Sequence, residues 1–233
     1  VVTEHGIIGC DSVVIAAGAW SSLFCRSLGI RFPQLMVVSS VLRTQAMDGG
    51  PETAVWGQGF SFRKRVDGGY SIANGSWNDV DLVPDSFRFA REFLPALLSD
   101  WSSLRFRVGR KFIEATCRPK KWSMDEVSPF EQIRILDPAP SQEALKVALK
   151  SLVQAFPVFK DRRIEQGWAG AIDATPDALP VISEVTSQRG LFLISGFSGH
   201  GFGIGPGAGY LMSDLVRGVS PRVDPEPFRF SRY

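Results

Sequence analysis

Residues 191–218 read LFLISGFSGHGFGIGPGAGYLMSDLVRG, and this stretch limits the possible folds more than any other. Residues 191–195 form an apolar run of strand length. Ala208, Leu211, Met212, Leu215 and Val216 recur at helical spacing, with Arg217 in the last turn and Gly218 as a stop. Between strand and helix lie Gly196, Gly199, Gly201, Gly203, Gly205 and Gly207, with a single His200. So many glycines ahead of a helix let the backbone approach something flat or anionic. The free amides and positive dipole end of the helix favour negative charge there. The plainer alternative is a flexible linker before a packed helix. Gly203, Gly205 and Ala208 formally match G-x-G-x-x-A. That motif should turn directly out of a strand and lead into a second one, and neither condition holds here.

The rest of the chain alternates strand and helix signals. Strands are expected over residues 1–8 and 11–17, around a turn at Gly9 and Cys10. Ser21 or Ser22 caps a short helix to Leu28, stopped by Gly29. Phe60 and Phe62 alternate with polar residues, as do Tyr70 and Ile72 across Asp67-Gly68-Gly69, which is a hairpin signal. With residues 34–47 this predicts a mostly antiparallel sheet buried on one face. A helix is expected over 85–101, with Ala90, Phe93, Leu94, Leu97, Leu98 and Trp101 as its apolar face, kinked or split at Pro95. Residues 105–117 read as a strand bent at Gly109. Ser141 caps a helix to Phe156, with Leu145, Ala148, Leu149 and Leu152 along one stripe and Pro157 ending it. Residues 162–172 read as a strand, Thr175-Pro176-Asp177 as a turn, and the proline- and arginine-rich tail as a surface segment.

Charge and composition narrow the functional classes. A net charge of +2 demands neither nucleic acid nor an anionic membrane. Arg105, Arg107, Arg110, Lys111, Arg118, Lys120 and Lys121 cluster without the stacking aromatics of a nucleic-acid groove, so no such partner is expected. Cys10, Cys25 and Cys117 are scattered, which suits a reducing, cytoplasmic location. His5 and His200 are too few for a histidine metal site, and none is expected. No apolar run reaches the ~18 residues of a transmembrane segment.

Three separated segments carry a family likeness. SGFSGHGFGIGPGAG resembles the C-terminal flavin-contacting segment of FAD-dependent oxidoreductases of the D-amino acid dehydrogenase, glycine oxidase and sarcosine oxidase group. GWAGAIDATPDALPVIS, residues 167–183, is similar to that family's return strand and loop into the FAD domain. CDSVVIAAGAWSSLFCRSLGI, residues 10–30, is similar to its strand and turn over the cofactor's dinucleotide half. The resemblance implies a mixed fold, α+β or α/β. An antiparallel-sheet substrate domain would span residues 33–164. Residues 1–32 and 165–233 would form the C-terminal part of a Rossmann-like FAD-binding domain. It places Ala17, Gly18, Ala19 and Trp20 at the FAD cavity, and Gly170, Gly199, His200, Gly201, Phe202, Gly203 and Ile204 around the flavin.

Such enzymes open with a strand, G-x-G-x-x-G and a helix, whereas this chain opens with VVTEHGIIGCDSVV. The N-terminal dinucleotide-binding unit is therefore expected on a missing N-terminal half or a partner chain. The implied activity is oxidation of the C–N bond of an amino acid or secondary amine by hydride transfer to FAD. The alternative is a catalytically silent fragment or subunit. The carboxylate-gripping arginine of glycine oxidase falls here on Ile172, and the lysine that follows GHGF in sarcosine oxidases is Gly203. The cysteine that links flavin covalently in some relatives falls near Gly170, so non-covalent FAD is expected. Arg43, Arg63 and Trp168 remain as candidate substrate contacts, and Asp173 and Asp177 either bind an amine or cap turns, the second being favoured. No catalytic side chain is singled out.

Overall fold

The computed structural model describes residues 1–233. β1 (Val2–Thr3) and β2 (Gly6–Ile7) form an exposed hairpin of their own, and β3 (Val13–Ile15) follows. The expected single strand over residues 1–8 is thus folded back on itself. Gly6 takes φ +122°, and Thr3 Oγ1 donates to its carbonyl at 2.9 Å. A 3-10 turn over Gly18–Trp20 leads into α1 (Ser21–Ser27). Ser21 and Ser22 lie inside that helix rather than capping it, because Ser22 Oγ instead donates to the Phe32 carbonyl at 2.8 Å.

Next come β4 (Leu35–Thr44), β5 (Val55–Gly57), β6 (Phe60–Lys64), β7 (Tyr70–Ala73) and β8 (Asn78–Asp81). The expected hairpin is present, with Phe62 opposite Ile72. Two helices follow, α2 (Pro84–Arg88) and α3 (Ala90–Asp100), so the long helix breaks at Phe89 rather than at Pro95. Phe89 is fully buried, with the guanidinium groups of Arg31 and Arg88 each 5.1 Å from its ring, and burying it sets the bend. The expected apolar face of α3 points largely outward, since Leu94, Leu98 and Trp101 are all exposed.

The expected strand over 105–117 is half wrong. β9 (Leu104–Arg107) is a strand, but α4 (Arg110–Cys117) is a helix begun after Gly109 and supported by an Arg110–Glu114 pair at 2.7 Å. The short α5 (Pro129–Gln132) precedes α6 (Gln142–Ala155), where Ser141 Oγ accepts from the Ala144 amide as the cap rule requires. The basic cluster is largely paired: Arg105 with Glu143, Arg107 with Asp79 and Asp81, and Lys111 with Asp81. Then come β10 (Ile164–Ala174), β11 (Val181–Glu184), β12 (Leu191–Ser195) and α7 (Gly201–Val216). No helix is long and apolar enough to cross a membrane.

Two sheets organise these elements. The larger has seven strands, in the order β5-β6-β7-β4-β8-β9, with β10 running antiparallel along β4. Register sorts its residues between two faces. Leu42 lies opposite Ile72, and Ile72 opposite Phe62. These three pack with Leu145, Ala148 and Leu152 of α6 in one core. The other face carries Val41, Arg43, Ser61, Arg63, Ser71, Ala73, Trp168 and Gly170, and no helix of the chain packs over it. The smaller sheet is β11-β12-β3, with β12 parallel to β3. α7 covers one side through Ala208, Leu211 and Met212. Cys25 of α1 packs on the other with Ile15, Val181 and Leu193, where burial pushes its thiol up to about 12.

Candidate functional site

The site is assembled where the two sheets meet. β10 pairs with β4 from Ile164 to Ala174 and so delivers Ile172 and Asp173 to the end of β12. Asp173 Oδ2 accepts from the Gly196 amide at 2.7 Å and from Ser195 Oγ at 3.3 Å. The Asp173 carbonyl accepts from the Ser198 amide at 3.0 Å. Asp173 therefore does cap a turn, and that turn is the glycine-rich one. Gly196 and Gly199 sit at φ +82° and +89°, where a side chain is strained. A Cβ on Gly199 would touch Ile172 of β10 at 3.8 Å.

The segment around Gly18 joins the same place through a residue with no sequence signal of its own. Buried Gln34 donates from Nε2 to the Gly18 carbonyl and to Ser195 Oγ, both at 3.0 Å, and accepts from the Ser22 amide at 2.9 Å. Gln34 and Ser195 thus tie the turn at Gly18 to the glycine turn. Neither was singled out from sequence, because an isolated glutamine after Pro33 looks like any loop residue. Trp20 turns away and meets Phe130 edge-on at 6.0 Å, whereas Ala17 packs against the core beneath the smaller sheet.

The extent of the turn differs from expectation. Gly201, Gly203, Gly205 and Gly207 belong to α7, and the true turn is only residues 196–200. His200 is the exposed residue ahead of the helix and makes no side-chain cap bond. Its carbonyl accepts from the amides of Gly203 and Ile204, which leaves those of Gly201 and Phe202 without a protein partner. Phe202 is fully exposed and Ile204 nearly half so. A Cβ at Gly18, Gly170, Gly203, Gly205 or Gly207 would meet nothing within 4 Å. Unpaired amides at a helix start, bordered by open glycines, form a cradle for a large flat group carrying negative charge.

The candidate substrate contacts share the uncovered face of the larger sheet but differ in state. Arg43 Nε lies 3.0 Å from Glu165 as an ion pair, although the geometry makes no hydrogen bond. Arg63 is exposed and has no carboxylate partner. Beside it lies a shallow depression of about 390 Å³ lined by Val41, Trp56, Ser61, Ser71 and Ala73. Trp56, 81% exposed, stands opposite Ser61 across the β5–β6 pair and was not anticipated. Trp168 is half-buried on β10, opposite Val41. Asp177 lies apart from this face, in the turn after β10. Burial alone would raise its carboxyl, but Arg232, the Tyr233 hydroxyl and the Leu179 amide hold it below the usual carboxylate range.

The fold thus presents an open glycine-bordered helix start on one side and the outer face of the larger sheet on the other. The match to a known family is direct: the FAD dependent oxidoreductase (DAO) model covers residues 1–215, and the chain belongs to that family. Glycine oxidase from Pseudomonas putida is 24% identical over 228 residues, covering 98% of this chain and 47% of that protein. The chain spans about half the length of the curated relatives it matches. Among solved structures, L-amino acid deaminase from Proteus vulgaris superposes with a TM-score of 0.93 at 32% identity, over 100% of this chain and 54% of that one. The same enzyme with its specific insertion sequence deleted superposes with a TM-score of only 0.68, at 26% identity, over 100% of this chain and 45% of that one.

Proposed function

We propose that this chain forms the flavin-ring and substrate side of an FAD-dependent enzyme that oxidises the C–N bond of an L-amino acid. The observation that carries the choice of substrate class is the fall in TM-score from 0.93 to 0.68 when the deaminase loses its insertion. Residues 84–138 are the natural counterpart. They leave from β8 and return to the sheet only through the parallel strand β9, and none of them joins a hydrophobic core cluster. Glycine oxidases are the weaker comparison by shape.

In this reading residues 33–164 are the substrate domain, and residues 1–32 and 165–233 are part of the FAD domain. The pyrophosphate-binding unit lies outside them, on further sequence or on a second chain. FAD, when bound, supplies the hydride acceptor. The open glycines and the unpaired amides of Gly201 and Phe202 fit its ring, and the helix start favours the charge of its reduced form. No cysteine lies on β10, so the cofactor is held without a covalent bond. Arg63 grips the substrate carboxylate, since its guanidinium has no carboxylate beside it while Arg43 lies in an ion pair with Glu165. Trp168 and Gly170 floor the space between. The imine product hydrolyses in water.

The test is anaerobic bleaching of the flavin in the complete, FAD-loaded protein. L-Amino acids should bleach it, and D-amino acids and sarcosine should not. Arg63→Met should raise KM by about 10- to 100-fold, the worth of a charge-assisted contact, with Arg43→Met far milder. Bleaching by sarcosine or D-amino acids alone would refute the substrate class.

A further inference from the structure

The tail, residues 221–233, is more than a surface segment. It crosses β11, an edge of the smaller sheet, and puts aromatic rings on both sides. Phe228 packs with the cluster between that sheet and α7. Phe230 and Tyr233 pack with the cluster on the opposite side, where Phe230 lies 6.2 Å from the Phe32 ring. The last two residues then grip the turn after β10. Tyr233 Oη donates to Asp177 Oδ1 at 2.6 Å, and Arg232 Nε donates to Asp177 Oδ2 at 2.8 Å. A terminal guanidinium nitrogen of Arg232 donates to the Leu179 carbonyl at 2.7 Å.

The gripped turn is wired to the glycine turn. Thr175 Oγ1 donates to the same Leu179 carbonyl at 2.8 Å and lies 3.4 Å from the Gly196 carbonyl. The Thr175 amide donates to Ser198 Oγ at 3.2 Å. A Cβ on Gly196 would run into the Thr175 methyl at 2.3 Å, so the two turns are in direct contact. From Arg232 and Tyr233 the path therefore runs through Asp177 and Leu179, then Thr175, to Gly196 and Ser198, and ends at the first amides of α7.

We propose that Arg232 and Tyr233 are positioning residues: acting through Asp177 and Thr175, they hold the glycine turn and the start of α7 in the geometry that meets the cofactor. The cofactor part of this proposal rests on the function proposed above, but the mechanical part does not. A strap that only stabilised the fold would need its aromatic rings and nothing more. Four polar contacts from Arg232 and Tyr233 to Asp177 and the Leu179 carbonyl suit a device that fixes position.

Tyr233→Phe keeps the ring in its cluster and removes only the hydroxyl, so it should fold. Hydrogen exchange in this variant is expected to speed up about tenfold at the amides of Gly196, Ser198 and His200, the loss equivalent to one hydrogen bond. In the complete FAD-loaded protein the flavin midpoint potential should fall, because a displaced helix start supports the reduced ring less well. Arg232→Gln should behave alike and Arg232→Lys should restore part of the effect. Acceleration confined to residues 221–233 would overturn the proposal, as would uniform acceleration of all amides in step with the melting temperature. Faster exchange at the glycine turn with an unmoved potential would keep the mechanical link and remove the link to the cofactor.

Discussion

Gly203→Ala should have opposite signs in two settings. Gly203 is the third residue of α7, its φ is not in the left-handed region, and a Cβ there meets nothing within 4 Å. In this chain the added methyl is therefore free of clashes and removes the entropic cost of a helical glycine, about 0.5–1 kcal/mol. For a chain of this size each kcal/mol moves the midpoint by about 2–4 °C, so the melting temperature should rise by about 1–4 °C. In the complete protein the same methyl would enter the space assigned to the cofactor. FAD affinity should fall, and reduction by substrate should slow. Differential scanning fluorimetry of this chain and spectral titration of the complete apoprotein with FAD read the two effects. A variant that melts higher but binds FAD and bleaches like its parent would refute the role given to the helix start. One that melts lower would refute the geometry.

Other expectations are more local. Leu152→Ala, at a fully buried position of α6, should cost about 2–5 kcal/mol, read as a lower urea midpoint. Ser141→Ala removes the cap of the same helix and should cost about 1 kcal/mol, a fall of a few degrees in melting temperature. Asp177 and Asp81 are both held below their usual range despite burial, by Arg232, Tyr233 and the Leu179 amide in one case and by Lys111 and Arg107 in the other. A depressed carboxyl stabilises the folded state above its unfolded pKa, near 4, and that contribution is lost as pH falls through the folded value. Limited pepsin digestion should therefore nick the tail and the β8–α4 region increasingly as pH is lowered below the unfolded carboxyl value, near 4. Asp177→Asn should remove this pH dependence at the tail, read against the parent at each pH.

Periodicity made α6 and the β6–β7 hairpin legible, because each buries one face against a single neighbour and caps or turns mark the ends. It failed over residues 85–117. There, alternating Arg105 and Arg107 announce a strand, but nothing local says that Gly109 ends it and that Arg110 and Glu114 start a helix. Glycine spacing marked the stretch near residue 200 but misjudged its form. Four glycines that look like a loop are helical, since their neighbours Ala208, Leu211 and Met212 anchor the helix to the smaller sheet. Gln34 and Ser195 were invisible because their importance lies in partners 161 residues apart in sequence. The arginines were legible as a pair and not as individuals: only the position of Glu165 distinguishes Arg43 from Arg63.

The pairing of β4 with β10 also acts as a ruler. One row of the uncovered face holds Arg43, Ser71 and Arg63, and another holds Val37 opposite Ile172, beside Gly199. Those rows are six residues apart along β4, about 20 Å at strand rise. The spacing can change only in two-residue steps of about 7 Å, since a one-residue slip would turn Arg43 into the core and Leu42 out of it. Descendants of this scaffold cannot tune the reach between anchor and glycine turn gradually through the backbone. They must do it by exchanging side chains in place, so that substrate range drifts while the frame stays fixed.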